Sequence, residues 1–344
     1  MTSTYPCMTA DLQSVNEVQA IEADPHVWEH DDHWAETYGL APTFGCCTAN
    51  FNQARVHSFT IACFAFVNAA QLMYCRCAQG WPKFIKQAVM ATPDGGAAVT
   101  LLVPTMARLP DGSSVVVETI YPFEDTVRIR CTAAKGKASV PLYIRVPAWA
   151  KNATINSKHV PAGNFSRHTC AGSGAGSAYV LELSPEIVLE EWAGDLNADG
   201  EAPHVAYSVV RGPLLYSLPI EHDYIEYGHH YGQGDAASND YFLIPKNTSA
   251  WNFALAVDPS DAAKVLKFVA GEPHAAGAAP FNRTGPLTIR ARARRVPAWG
   301  MFANSAAVPP ESPACASGGC GPLETIELVP HGYTELRIGE FPLA

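Results

Sequence analysis

Ser114-Val-Val-Val-Glu-Thr-Ile-Tyr121, Thr126-Val-Arg-Ile-Arg-Cys131 and Val140-Pro-Leu-Tyr-Ile-Arg-Val146 follow one another in the chain, with Phe123-Glu-Asp125 as a turn between the first two. Each run is short and rich in Val, Ile, Thr and Tyr, residues that fit a pleated, half-buried surface. Working outward, the same texture begins at Ala98–Val103, ahead of the Pro110-Asp-Gly112 turn. It continues at Ala178–Leu183, Ala206–Val210, Leu214–Leu218, Leu287–Ala291, Thr325–Val329 and Thr334–Ile338. Short strands at such spacing, with turn chemistry between them, predict antiparallel sandwiches. Looser stretches at 171–177, 227–238 and 275–279 read as loops or module boundaries. The fold class expected is mainly β, with two β-sandwich modules over residues 95–205 and 206–344.

The first 94 residues differ. Trp81–Met90 places apolar residues at 81, 84, 85, 88 and 89, a spacing that predicts a short amphipathic helix. Pro25–Asn52 is dense in Trp, His, Asp and Cys, the composition of a functional loop. From Asp11 onward the chain reads like the middle of a domain, without a lead-in.

Composition narrows the class. In 344 residues, 48% are hydrophobic, enough for two or three globular cores. The net charge of −10 argues against nucleic acid as a partner, because no basic stripe is available to neutralise phosphates. The densest basic cluster, Arg290, Arg292, Arg294 and Arg295, alternates as the wet face of a strand would. Residues 1–13 carry neither the basic nor the apolar region of a signal peptide. The longest apolar stretch, Phe59–Tyr74, is short for a membrane span and contains Thr60, Asn68 and Gln71. No membrane partner is expected. Four Asn-x-Ser/Thr sequons, at Asn152, Asn164, Asn247 and Asn282, raise the odds of a secretory origin only mildly, since chance supplies a few in a chain this long.

The ten cysteines are unevenly spread. Cys315 and Cys320 bracket a small Gly-rich loop and could close a short disulfide. Cys46 and Cys47 are adjacent, in Tyr38-Gly-Leu-Ala-Pro-Thr-Phe-Gly-Cys-Cys-Thr-Ala-Asn50. Such a pair can form a vicinal disulfide, join two separate disulfides, remain as buried thiols, or bind one metal ion. A thiolate held at zinc is deprotonated outright and can serve as a nucleophile at neutral pH.

The run Phe44-Gly-Cys-Cys-Thr-Ala-Asn-Phe-Asn-Gln53, followed by Gln79-Gly-Trp-Pro-Lys-Phe84, resembles the end of the catalytic domain of glycoside hydrolase family 127, the β-L-arabinofuranosidase-like proteins, in the branch common in fungi. Upstream the resemblance takes in Asn16-Glu-Val-Gln-Ala20 and Trp28-Glu-His-Asp-Asp32. Downstream it includes Leu142-Tyr-Ile-Arg-Val-Pro-Ala-Trp149, Arg211-Gly-Pro-Leu-Leu-Tyr216, Trp251-Asn-Phe-Ala-Leu255, Arg295-Val-Pro-Ala-Trp299 and Val329-Pro-His-Gly-Tyr-Thr-Glu-Leu-Arg337, in the family's order. The resemblance implies an (α/α)6 barrel followed by β-sandwich domains, so residues 1–94 would be a barrel remnant. It implies a zinc ion bound by a Glu-x-Cys half-site and by Cys46 and Cys47. Cys46 would be the nucleophile of a retaining mechanism, with a separate Glu as acid/base. The substrate implied is carbohydrate, with arabinofuranoside-containing glycans as the namesake class.

The chain also departs from the family. Cys7 is the one cysteine ahead of Cys46, and its neighbours Tyr5-Pro-Cys-Met8 lack the Glu two positions before. With half the zinc ligands and the acid/base missing, this chain is expected to be inactive as it stands. Residues 54–79 interrupt the family's continuous Asn-Gln-Gly-Trp-Pro and read as translated intron; a genuine surface insertion is the alternative. Glu29-His-Asp-Asp-His33 and His229-His230 read as solvated loops, and Trp149, Trp192, Trp251 and Trp299 as core residues able in principle to stack on sugars. The competing functional reading is a non-catalytic sugar-binding or structural β-sandwich protein.

Overall fold

In a computed structural model of the chain, the described residues are 87–172, 176–193, 205–231, 238–271, 287–302, 305–333 and 336–344. Residues 1–86 of the expected barrel remnant (1–94), the 54–79 insertion among them, fall outside them. What is described is mainly β, and it divides into one compact unit ending at Glu186 and another beginning at Ile187.

The first module contains β1 (Val89–Ala91), β2 (Ala97–Val99), β3 (Thr105–Arg108), β4 (Ser114–Glu118), β5 (Thr126–Thr132), β6 (Ser139–Arg145), β7 (Thr154–Ile155), β8 (Lys158–His159), β9 (Phe165–Ala171) and β10 (Ser177–Glu182). Two sheets form, in the orders β1-β2-β6-β9 and β3-β4-β5-β10-β7-β8. Burial alternates along β5 and β6, as the sequence pattern requires of strands with one face inward. Val99, Val140, Leu142 and Ile144 from one sheet share a buried cluster with Val115, Val117, Val127, Ile129 and Leu181 from the other. A core fed by both sheets makes a sandwich, and each such side chain contributes about 1.5–3 kcal/mol on leaving water.

A disulfide between Cys131 on β5 and Cys170 on β9 crosses that core, its Cα atoms 5.6 Å apart. The Pro110-Asp-Gly112 turn closes the β3–β4 hairpin with Gly112 at φ 91°. Asp111 braces it by accepting from the Ser113 amide and from Lys137 Nζ at 2.7 Å.

One expectation is overturned here. Val89 and Met90, the end of the Trp81–Met90 stretch expected to be a helix, lie in strand β1, paired antiparallel with β2 from Val89↔Val99 to Ala91↔Ala97. The Thr92-Pro-Asp-Gly95 turn supplies a ready hairpin, and pairing with a buried strand outweighs a local helical spacing.

The second module contains β11 (Ile187–Ala193), β12 (Val205–Arg211), β13 (Leu214–Pro219), β14 (His222–Tyr231), β15 (Ser238–Pro245), β16 (Phe253–Leu255), a four-residue helix α1 (Ala262–Val265), β17 (Lys267–Ala270), β18 (Leu287–Arg295), β19 (Met301–Phe302), β20 (Ser305–Ala306), β21 (Leu323–Pro330), β22 (Arg337–Ile338) and β23 (Glu340–Phe341). The expected boundary at 205/206 moves earlier, because β11 pairs along its whole length with β12. Tyr227–Tyr231, expected in a loop, continue strand β14, so the backbone of His229 and His230 is extended.

The main sheet runs β11-β12-β13-β21-β18-β16, with β17 beside β18. Arg211 pairs with Leu214 across a two-residue turn in which Gly212 takes φ 60°, the left-handed position that favours glycine at the start of a II′ hairpin. The sheet curls around Val209, Leu214, Tyr216, Phe253, Leu255, Ile289, Leu328 and Phe341, all buried. The last residues close it. β23 pairs with β12 and β22 with β13, while Leu255 donates to the Pro342 carbonyl and accepts from the Ala344 amide, both at 2.9 Å. The C-terminal segment thereby ties the β12 side of the curl to β16 on the other.

β18 carries the arginine cluster as expected. Its burial alternates, with Leu287, Ile289, Ala291 and Ala293 inward and Arg290 and Arg292 exposed. Arg290 donates to Glu327 on β21 at 2.8 Å, and Arg294 and Arg295 donate to Gly321 O and Asn252 Oδ1.

Candidate functional site

Cys46 and Cys47, the expected nucleophile and zinc ligands, lie outside the described residues, as does Glu29-His-Asp-Asp-His33. Among the described residues no group of three or more His, Cys, Asp or Glu side chains is placed to hold a metal ion. No helix among them is long and apolar enough to cross a membrane. Cys315 and Cys320 form the expected short disulfide, with Cα atoms 5.5 Å apart.

The chemistry-bearing cluster deepest in the second module is Ser217, His331 and Arg337, which are 0%, 0% and 1% exposed. Strand pairing brings them together: Ser217 on β13 sits opposite Val329 on β21, and Arg337 on β22 sits opposite Pro219. Arg337 Nε lies 2.6 Å from His331 Nε2, and Ser217 Oγ lies 2.7 Å from His331 Nδ1. A guanidinium N–H can only donate, so Nε2 must be the acceptor and the neutral ring carries its proton on Nδ1. His331 therefore donates to the serine. A nucleophilic serine needs an imidazole nitrogen that accepts its proton, and this one faces the opposite way. Buried and reversed, the trio is a structural knot that fixes β13, β21 and β22 to one another.

A second knot joins two other motifs. Asn252 donates through Nδ2 to the Val296 and Trp299 carbonyls, both at 3.0 Å, and its Oδ1 accepts from Arg295. Trp251 meets Trp299 edge to face at a centroid distance of 5.3 Å, and Trp299 Nε1 donates to the Ala307 carbonyl at 2.8 Å. The segments Trp251–Leu255 and Arg295–Trp299 thus form one interlocked corner. Among the described residues, both clusters serve to hold the second module's fold.

Of the four tryptophans read as core, Trp299 is buried, Trp149 packs against the first module's core and Trp251 is half-buried. Trp192, on β11, is 51% exposed, which corrects the expectation for that residue. It lies on β11, the edge strand of the sheet among the described residues.

No protein-family model matches the chain, and no curated protein matches it. Solved structures do. One named a glycoside hydrolase is 18% identical, with a TM-score of 0.46, over 79% of this chain and 39% of its own. A GH127 β-L-arabinofuranosidase from Geobacillus stearothermophilus T6 is 18% identical, with a TM-score of 0.42, over 79% of this chain and 36% of its own. The chain is similar to family 127 glycoside hydrolases. A GH127 β-arabinofuranosidase at 14% identity has a TM-score of 0.41, over 74% of this chain and 36% of its own. The chain spans less than two fifths of the length of each of these structures. Likeness at these values assigns no residue a role.

Proposed function

We propose that the chain is part of a retaining glycoside hydrolase of the β-L-arabinofuranosidase type, acting on arabinofuranoside-containing glycans. The observation that supports it is the run Phe44-Gly-Cys-Cys-Thr-Ala-Asn50, followed in family order by β-module motifs. Cys46 and Cys47 supply two thiolate donors of the kind zinc takes. Zinc, when bound, contributes the positive charge that keeps a thiol ionised at neutral pH. The Cys46 thiolate is the nucleophile at the anomeric carbon, and a carboxylic acid protonates the departing oxygen. Cys47 would hold the zinc ion beside Cys46 as a second thiolate donor.

Because this chain by itself is expected to be inactive, the test measures two things on the whole protein of which it is part, from its own source, and on its Cys46→Ser and Cys47→Ser variants: zinc content, and release of sugar from an aryl β-L-arabinofuranoside with the anomer followed by NMR. Retention of configuration, its loss in Cys46→Ser and reduced zinc in both variants are expected. Full turnover by Cys46→Ser would remove the basis for the proposal.

The exposed Trp192 favours a second reading, a sugar-binding β module. Glu190 shares its face of β11 by strand alternation, and partial desolvation pushes that carboxyl up. An aromatic platform beside a hydrogen-bonding carboxyl suits the apolar face and hydroxyls of a sugar ring. Trp192→Ala should then weaken retention of the protein on immobilised arabinan and leave hydrolysis of the small aryl glycoside unchanged.

A further inference from the structure

Three of the four sequons fall on described residues, and the fold treats them alike. Asn152 is exposed in the turns after β6, where the Ala150 and Ala153 amides donate to the Pro147 and Ala150 carbonyls. Asn164 is exposed in the connection from β8 to β9, beside Gly163 at φ 73°. Asn247 is exposed in the turn after β15, closed by the Ser249 amide donating to the Lys246 carbonyl at 2.9 Å. Asn252 provides the contrast. It heads Asn-Phe-Ala, which is not a sequon, and it is buried with both ends of its amide engaged.

The cysteines supply an independent observation. All four among the described residues are in disulfides, and Cys131–Cys170 lies inside the sandwich with both residues 2% exposed. A cross-link buried between two sheets belongs to a chain that folds where thiols are oxidised. In a eukaryotic cell that place is the secretory lumen, which is also where asparagines in sequons are modified.

We infer that Asn152, Asn164 and Asn247 carry N-linked oligosaccharides and that the protein matures through the secretory lumen. In the transfer, the asparagine amide nitrogen bonds to the anomeric carbon of an oligosaccharide held on a polyprenyl diphosphate. The anomeric carbon–oxygen bond breaks, the diphosphate leaves with the electron pair, and one amide proton is lost to a base. The product amide keeps one N–H. Asn152 can therefore still donate to Glu186 Oε1, now 3.1 Å away, and Asn164 to the Ala162 carbonyl at 3.4 Å. Gly163 and Asn164 both bond to Val146, just after β6 and six residues before Asn152.

The experiment maps peptides of the protein from its native cells, before and after peptide-N-glycosidase in heavy-oxygen water. Each of the three asparagines should appear as an oligosaccharide-bearing residue and then as heavy-oxygen aspartate. Asn152→Gln, Asn164→Gln and Asn247→Gln should each remove one step of electrophoretic mobility. Unmodified asparagine at all three positions overturns the inference, and an unmodified single site overturns that site. Alkylation of Cys131 or Cys170 without prior reduction overturns the assigned compartment. None of these readouts depends on hydrolytic activity.

Discussion

Replacing Cys131 and Cys170 together by alanine tests whether the first module depends on its cross-link across the sheets. The two residues are 39 apart in sequence, so their bond forbids the unfolded chain the many conformations of a long open loop. The loop-entropy relation gives about 4 kcal/mol for a closure of that length. The Cys315–Cys320 bond spans a separation of 5 and gives about 2 kcal/mol on the same relation. With a urea m-value of about 2 kcal/mol/M, losing the first bond should lower the first module's midpoint by about 2 M. The assay is urea unfolding of the whole protein read by hydrogen exchange, with peptides from β5 and β9 reporting the first module and peptides from β18 and β21 the second. The Cys315→Ala/Cys320→Ala variant should lose about half as much, in the second module only. Equal losses from the two variants, or the larger loss from the shorter loop, would refute the reasoning.

His331→Ala strips the acceptor from Arg337 Nε and the donor from Ser217 inside the core. It should destabilise the second module by about 3–5 kcal/mol, measured by the same exchange experiment. Gly96→Ala would press a methyl group into the Pro141 carbonyl. It should cost the first module about 2–3 kcal/mol, seen as a lower melting temperature in calorimetry. Asp111, bonded by Lys137 and Ser113, is held down at about 2 from its ordinary 3.8. A carboxyl depressed in the fold adds stability above its unfolded value and loses it as pH falls through the folded one. Wild type should therefore exceed Asp111→Asn in stability at pH 5, with the gap shrinking as pH falls below about 4 and lost only below the folded value, by about pH 1; a gap undiminished at pH 1 would contradict it.

The strands visible in the sequence were those with one clean buried face. β5, β6 and β18 announce themselves because every second residue is apolar and inward. β9 was invisible. Phe-Ser-Arg-His-Thr-Cys-Ala buries only Cys170 fully, since an edge strand of the four-stranded sheet has few core positions to fill. β11 was not legible because Ile-Val-Leu-Glu-Glu-Trp-Ala lacks a clean alternation of apolar and polar residues. The partnership of Cys131 and Cys170 has no local signature, since it depends on which sheet each strand joins. In the same way, Ser217, His331 and Arg337 become a trio only through the pairing of β13 with β21 and β22. For the proposed Cys46 and Cys47 centre the sequence motif supplies the chemistry, and their geometry falls outside the described residues.

The closure of the second module by its last residues sets an order of events during synthesis. Each strand of the first module has left the ribosome while the second is still being made, so that sandwich can assemble early, as leading domains generally do. The second module cannot. β12 and β16 wait for Glu340–Ala344 to join them, and those residues are made after every other strand of the module. A chain cut short before Glu340 would therefore leave a finished sandwich attached to an open sheet with bare edges, a species that chaperones and proteases are well equipped to find.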